Sequence, residues 1–91
     1  MATSFMVKVV TPTKVVLEQE ADFLLVRTTE GDMGILGNYF PLVAALADGQ
    51  MKIRKDKREK FFRVEGGFIE ISNNQVTILS NQAYPQEERV I

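Results

Sequence analysis

Apolar residues recur along this chain with a period of two. Phe5, Val7 and Val9 alternate with Met6 and Lys8; Met51 and Ile53 alternate with Lys52 and Arg54. Phe62 and Val64 alternate with Arg63 and Glu65, and Ile69 and Ile71 with Glu70 and Ser72. Such spacing puts every second side chain on one side of an extended backbone, so each segment reads as a strand with one buried face. Gly, Pro, Asn or Asp interrupts the pattern roughly every ten residues, and no long stretch keeps a helical period. The pattern is that of an all-β sandwich or barrel.

The interruptions set the boundaries. Thr11-Pro12-Thr13 ends the first strand, because proline fixes φ and cannot donate to a ladder. Lys14 to Leu17 and Ala21 to Thr28 are the next two strands. The near-continuous Phe23-Leu24-Leu25-Val26 predicts that the second of these is covered on both faces. Residues 30–41 then break the rhythm and read as one long loop. Leu42 to Ala47 has a composition open to helix or strand, and its shortness with the following Asp48-Gly49 selects strand. A hairpin follows with a polar tip at Lys55 to Glu59. Gly66-Gly67 suits a bulge or sharp bend, and Asn73-Asn74 can take the positive φ of a tight turn before Val76 and Ile78. From Ala83 onward the chain is polar and holds Pro85, so little fixed structure is expected there. The expected organisation is one domain over residues 1–83 and a flexible polar tail over 84–91.

Composition narrows the chemistry. At 91 residues, 45% hydrophobic and 25% charged, the chain has the balance of a single globular domain. It contains no cysteine and no histidine, which removes thiolate and imidazole from the available nucleophiles, bases and metal ligands. Glu30 and Asp32 could form an acid/base pair, but no nucleophile or glycine-rich phosphate cradle accompanies them. No catalytic, metal-binding or cofactor-binding residue is therefore expected. The longest apolar run, Leu42 to Ala47, is far short of a membrane span, and Lys8 falls where a signal peptide would be apolar, so a cytosolic chain is expected. Six of the eleven basic residues lie between Lys52 and Lys60. They lack interleaved aromatics and are diluted by Asp56 and Glu59, so they read as a solvated hairpin tip and not as a nucleic-acid site.

Two blocks carry a family resemblance. The first is Glu30-Gly31-Asp32-Met33-Gly34-Ile35 with Gly37-Asn38-Tyr39-Phe40-Pro41-Leu42; the second is Val64-Glu65-Gly66-Gly67-Phe68-Ile69-Glu70-Ile71 with Asn74-Gln75-Val76-Thr77-Ile78-Leu79. In order and spacing they resemble the N-terminal β-sandwich of the epsilon subunit of rotary F-type ATP synthases. The usual Pro-Gly-His of the first block is Gly37-Asn38-Tyr39 here, and Phe40 stands where a small residue is common. The resemblance implies a flattened antiparallel β-sandwich that performs no chemistry. It implies a place in the central stalk, packed on the gamma subunit with a loop on the polar loops of the c-ring, coupling ion translocation to ATP synthesis. Membrane association would come only through that complex, at the cytoplasmic face of the energy-coupling membrane. The helical tail of most relatives, with its Asp-x-x-Arg-Ala ATP motif, has no counterpart: Gln86 stands at the aspartate's place and Val90 at the alanine's beside Arg89, so ATP binding is not expected.

On that resemblance Glu30, Asp32, Asn38, Tyr39 and Phe40 form the expected c-ring-facing loop. Phe61 and Phe68 fall out of phase with Val64, Ile69 and Ile71, so they become the candidates for an apolar outer patch facing gamma. A competing reading comes from Met51-Lys52, which faintly resembles the modified lysine of biotinyl and lipoyl carrier domains. That reading needs Lys52 at a tight hairpin tip, whereas the alternation puts it along a strand.

Overall fold

A computed structural model describes residues 3–91. Ten strands follow in order: β1 (Phe5–Thr11), β2 (Lys14–Ala21), β3 (Phe23–Thr28), β4 (Gly31–Ile35), β5 (Leu42–Ala45), β6 (Gly49–Lys55), β7 (Arg58–Glu65), β8 (Phe68–Ser72), β9 (Gln75–Leu79) and β10 (Gln82–Val90). They form two five-stranded sheets, β2-β1-β9-β8-β5 and β10-β7-β6-β3-β4. All pairings are antiparallel except β1 with β9, which run parallel. The fold is the all-β sandwich expected from the alternating pattern.

The period of two becomes the core directly. Phe5, Val7, Val9, Ile69, Ile71, Val76 and Ile78 of the first sheet are buried against Leu24, Val26, Ile35, Met51, Ile53, Phe62 and Val64 of the second. Burying a side chain of this kind contributes about 1.5–3 kcal/mol, so this alternation supplies the main driving force for stacking the two sheets. Two hairpins close on two-residue turns with both φ values positive: Asp56 and Lys57 between β6 and β7, Asn73 and Asn74 between β8 and β9. Such turns match the twist of the flanking strands.

Gly67 is required where it stands. Its φ is 103°, and a Cβ there would collide with the Leu79 carbonyl. The close approach of residue 67 to the neighbouring strand lets β8 start on β9, where Phe68 pairs with Leu79.

Three expectations are corrected. Residues 30–41 are not one loop, because β4 pairs with β3 from Thr28↔Gly31 to Leu24↔Ile35. Two glycines and an acid hide that strand from any propensity argument, and its partner strand supplies the order. Phe23 also fills the space over Gly34, where an added Cβ would lie 3.1 Å from its ring. The second strand runs on to Ala21, beyond the expected Leu17. Third, the segment expected to be a flexible tail, 84–91, belongs almost entirely to β10, which pairs with β7 from Gln82↔Glu65 to Val90↔Arg58. An edge strand exposed on both faces has no hydrophobic period to betray it, and Pro85 is tolerated beside the register shift between Pro85 and Glu87.

The expectation that β3 is covered on both faces is corrected as well: Phe23 and Leu25 are only partly buried, and no third layer covers β3 among the described residues. Instead the Lys52 ammonium and the Arg54 guanidinium lie over the Phe23 ring, 5.6 and 4.8 Å from its centroid. Long basic side chains thus shield apolar surface while keeping their charges in water.

Candidate docking surfaces

The loop after β4 is built to hold aromatic side chains at the surface. Gly37 lies so close to the Thr3 carbonyl that any Cβ would collide with it, which ties the loop to the start of β1. Asn38 takes a φ of 61° and donates its backbone N–H to Asn74 Oδ1 at 2.6 Å. Tyr39 then packs against the core and stacks on Phe40 with ring centroids 4.6 Å apart. Phe40 keeps 63% of its surface exposed. The stack presents apolar surface on a support that is not free to collapse.

Glu30 and Asp32 occupy a different place. Thr28 Oγ1 donates to the Gly31 carbonyl at 2.6 Å and accepts the Glu30 N–H at 3.1 Å, shaping the β3–β4 turn. Arg27 Nε donates to Asp32 Oδ1 at 3.1 Å on the exposed surface. Since β4 has five residues, its ends lie about 13 Å apart. The five expected loop residues therefore divide: Glu30 in the β3–β4 turn and Asp32 at the start of β4 lie at one end of the strand, and Asn38, Tyr39 and Phe40 lie in the loop beyond its other end.

Phe61 and Phe68 do not form one patch. Phe61 lies in the β10-side sheet and Phe68 in the β2-side sheet, each on the outer face. Phe61 is only 8% exposed, with the Arg89 guanidinium 4.7 Å from its ring centroid. Phe68 is 57% exposed. The surface around Phe68 extends further than sequence alternation alone suggested. Ala45 pairs with Phe68, Phe68 with Leu79, Leu79 with Val10 and Val10 with Val15, so one apolar row crosses all five strands of the sheet. Leu79 and Val15 are 53% and 52% exposed. The row two residues further along is mostly polar: Val43, Glu70, Thr77, Lys8 and Glu18. Val10 and Leu79 carry the same signal as Phe68, an apolar residue out of phase with the core positions beside it, whereas Val15 is in phase with Leu17 and is turned outward by the register shift opposite Val9 and Val10. That signal finds the middle of the row, and the bulge that brings Val15 into it is not visible in the alternation.

Lys52 lies in the middle of β6, paired with Leu25 and Phe61, and its ammonium sits 3.4 Å from Glu59. It is not at a hairpin tip, where a carrier domain would present its modified lysine. The Glu59 and Phe23 contacts hold it down on the sheet.

The sandwich thus carries one exposed apolar row on an outer sheet face and, apart from it, a braced aromatic loop. The family model described as ATP synthase, Delta/Epsilon chain, beta-sandwich domain matches residues 4–86, and the chain belongs to that family, whose members are noncatalytic subunits of the complex. The sodium-ion-specific ATP synthase epsilon chain of Propionigenium modestum is 46% identical over 88 residues, covering 97% of this chain and 64% of that protein. The ATP synthase epsilon chain of Leptospira interrogans is 41% identical over 87 residues, covering 96% and 68%. The chain thus spans about two thirds of the length of these relatives. The same fold occurs in a cryo-EM structure of the Euglena gracilis mitochondrial ATP synthase containing OSCP, F1 and the c-ring, with a TM-score of 0.85 at 22% identity over 90% of this chain and 53% of that one. It also occurs in the central stalk and c-ring structure of the Tetrahymena thermophila enzyme, with a TM-score of 0.73 at 21% identity over 87% and 64%. At these identities the likeness is one of fold.

Proposed function

We propose that this domain is a noncatalytic piece of the central stalk of a rotary F-type ATP synthase, linking the gamma subunit to the c-ring and so coupling ion translocation to ATP synthesis. It works at the cytoplasmic face of the energy-coupling membrane and meets that membrane only through the complex. The supporting observation is the pair of independent surfaces, an apolar row across five strands and an aromatic loop braced from beneath. A torque-transmitting element must grip two partners at once without yielding between them, and a packed sandwich provides that stiffness.

Gamma takes the sheet face of Val10, Val15, Phe68 and Leu79. Of the two gamma-facing candidates, this surface retains Phe68 and leaves out Phe61, which its own chain already covers. The c-ring takes Tyr39 and Phe40, with Asn38 shaping the loop and Glu30 and Asp32 lending negative charge from the β3–β4 hairpin at the other end of β4. Charge of this kind contributes more to orientation and encounter than to affinity. Mixing the chain with purified gamma and detergent-solubilised c-ring, followed by size-exclusion chromatography, tests the proposal: all three should elute together. A chain that elutes alone from the mixture contradicts it.

A further inference from the structure

We propose that Asn74 is the positioning residue for the aromatic loop, holding Gly37 to Phe40 in the shape that docks; the inference rests on the docking role assigned to that loop above. Three stretches distant in sequence meet at its side chain. Oδ1 accepts the Asn38 N–H at 2.6 Å, and Nδ2 donates to the Ser4 carbonyl at 2.9 Å. The Asn74 carbonyl also accepts the Met6 N–H at 3.4 Å. Both ends of the amide are engaged with backbone of other segments, so turning it over would set donor against donor and acceptor against acceptor. Its orientation is fixed by chemistry.

The position makes two demands at once. Its φ of 59°, in the β8–β9 turn, favours Gly, Asn or Asp. Glycine meets that demand and supplies no bridge, and aspartate supplies the acceptor but not the donor. Asparagine meets both. The anchored residue, Asn38, directly precedes Tyr39 and Phe40, and Gly37 is already pressed on Thr3. The exposed aromatic pair therefore inherits its position from two adjacent fixed points, one steric and one hydrogen-bonded.

The test compares the full native chain with Asn74→Gly and Asn74→Asp in three readouts: hydrogen exchange of the Asn38 amide, affinity for detergent-solubilised c-ring, and affinity for gamma. Asn74→Gly should speed exchange at Asn38 and weaken c-ring binding by about tenfold, the scale of one lost hydrogen bond, with gamma binding unchanged. Asn74→Asp should restore protection of the Asn38 amide and part of the c-ring affinity. The proposal is overturned if Asn74→Gly binds the c-ring like the native chain, or if it loses gamma binding in equal measure, which would mark a general effect on the fold. Should the native chain fail to bind the c-ring at all, the docking role of the loop falls, and the positioning role with it. A change at the Asn38 amide would then leave the bridge as a feature of the fold alone.

Discussion

Phe68 and Leu79 stand directly opposite each other on β8 and β9, and both point away from the core. Each is more than half exposed, although Ile69 and Ile78, next to them in sequence, are fully buried. Two large apolar residues side by side in water gain little by stability alone, so their value lies in what they meet. Phe68→Asp should leave the midpoint of thermal unfolding within a few degrees of native, because exposed substitutions usually change stability by no more than about 0.5 kcal/mol. Phe61→Asp, by contrast, puts a carboxylate under Arg89 and removes a buried ring, and should lose about 3 kcal/mol. Differential scanning calorimetry of the two variants checks this contrast.

Gly67→Ala should be among the most damaging small substitutions in the chain. The φ of 103° suits glycine only, and the new methyl would meet the Leu79 carbonyl, which the sheet holds in place. A loss of at least about 3 kcal/mol is expected, read as a fall of more than about 10 °C in the unfolding midpoint. Gly31→Ala serves as comparison, since Gly31 has a φ of 119° but open space around its Cβ position, and should cost less.

Lys57 occupies the second position of the β6–β7 turn at a φ of 65°. Aspartate followed by glycine is the favoured pair for such a turn. Lys57→Gly should therefore raise stability by about 1 kcal/mol, moving the midpoint up by about 4–8 °C. Urea titration should show the same gain at an unchanged slope.

A chain ending at Ala83 tests the status of residues 84–91. If they were a flexible tail, removing them would leave stability unchanged. Because they pair with β7 and carry Arg89 over Phe61, their loss should expose the Phe61 ring and the β7 edge, costing at least about 2 kcal/mol and promoting self-association. Chemical denaturation together with light scattering reads both effects.

The parts of the fold legible in the sequence are those where one face is buried. Phe5, Val7 and Val9, or Ile69 and Ile71, alternate because the core demands it, and Asn73-Asn74 marks its turn because positive φ favours asparagine. The parts that escaped have no such demand. β4 holds two glycines and owes its order to β3, while β10 is exposed along most of its length. For the docking surfaces, Tyr39 and Phe40 are visible as aromatics in a loop, and Phe68 as a residue out of phase. The division of Phe61 from Phe68 was not visible, because which of the two sheets a strand joins is a matter of topology. Asn74 was visible only as a turn residue, since its bridge to Ser4 and Asn38 depends on distant segments meeting.

The apolar row of the β2-side sheet as the seat of gamma is tested most directly by isothermal titration of the purified chain with purified gamma, native against Phe68→Asp and Leu79→Asp. The account predicts stoichiometric binding by the native chain and a loss of at least about 2 kcal/mol, roughly thirtyfold in affinity, for each variant. Native-like affinity in both variants, with the chain still folded, would contradict it.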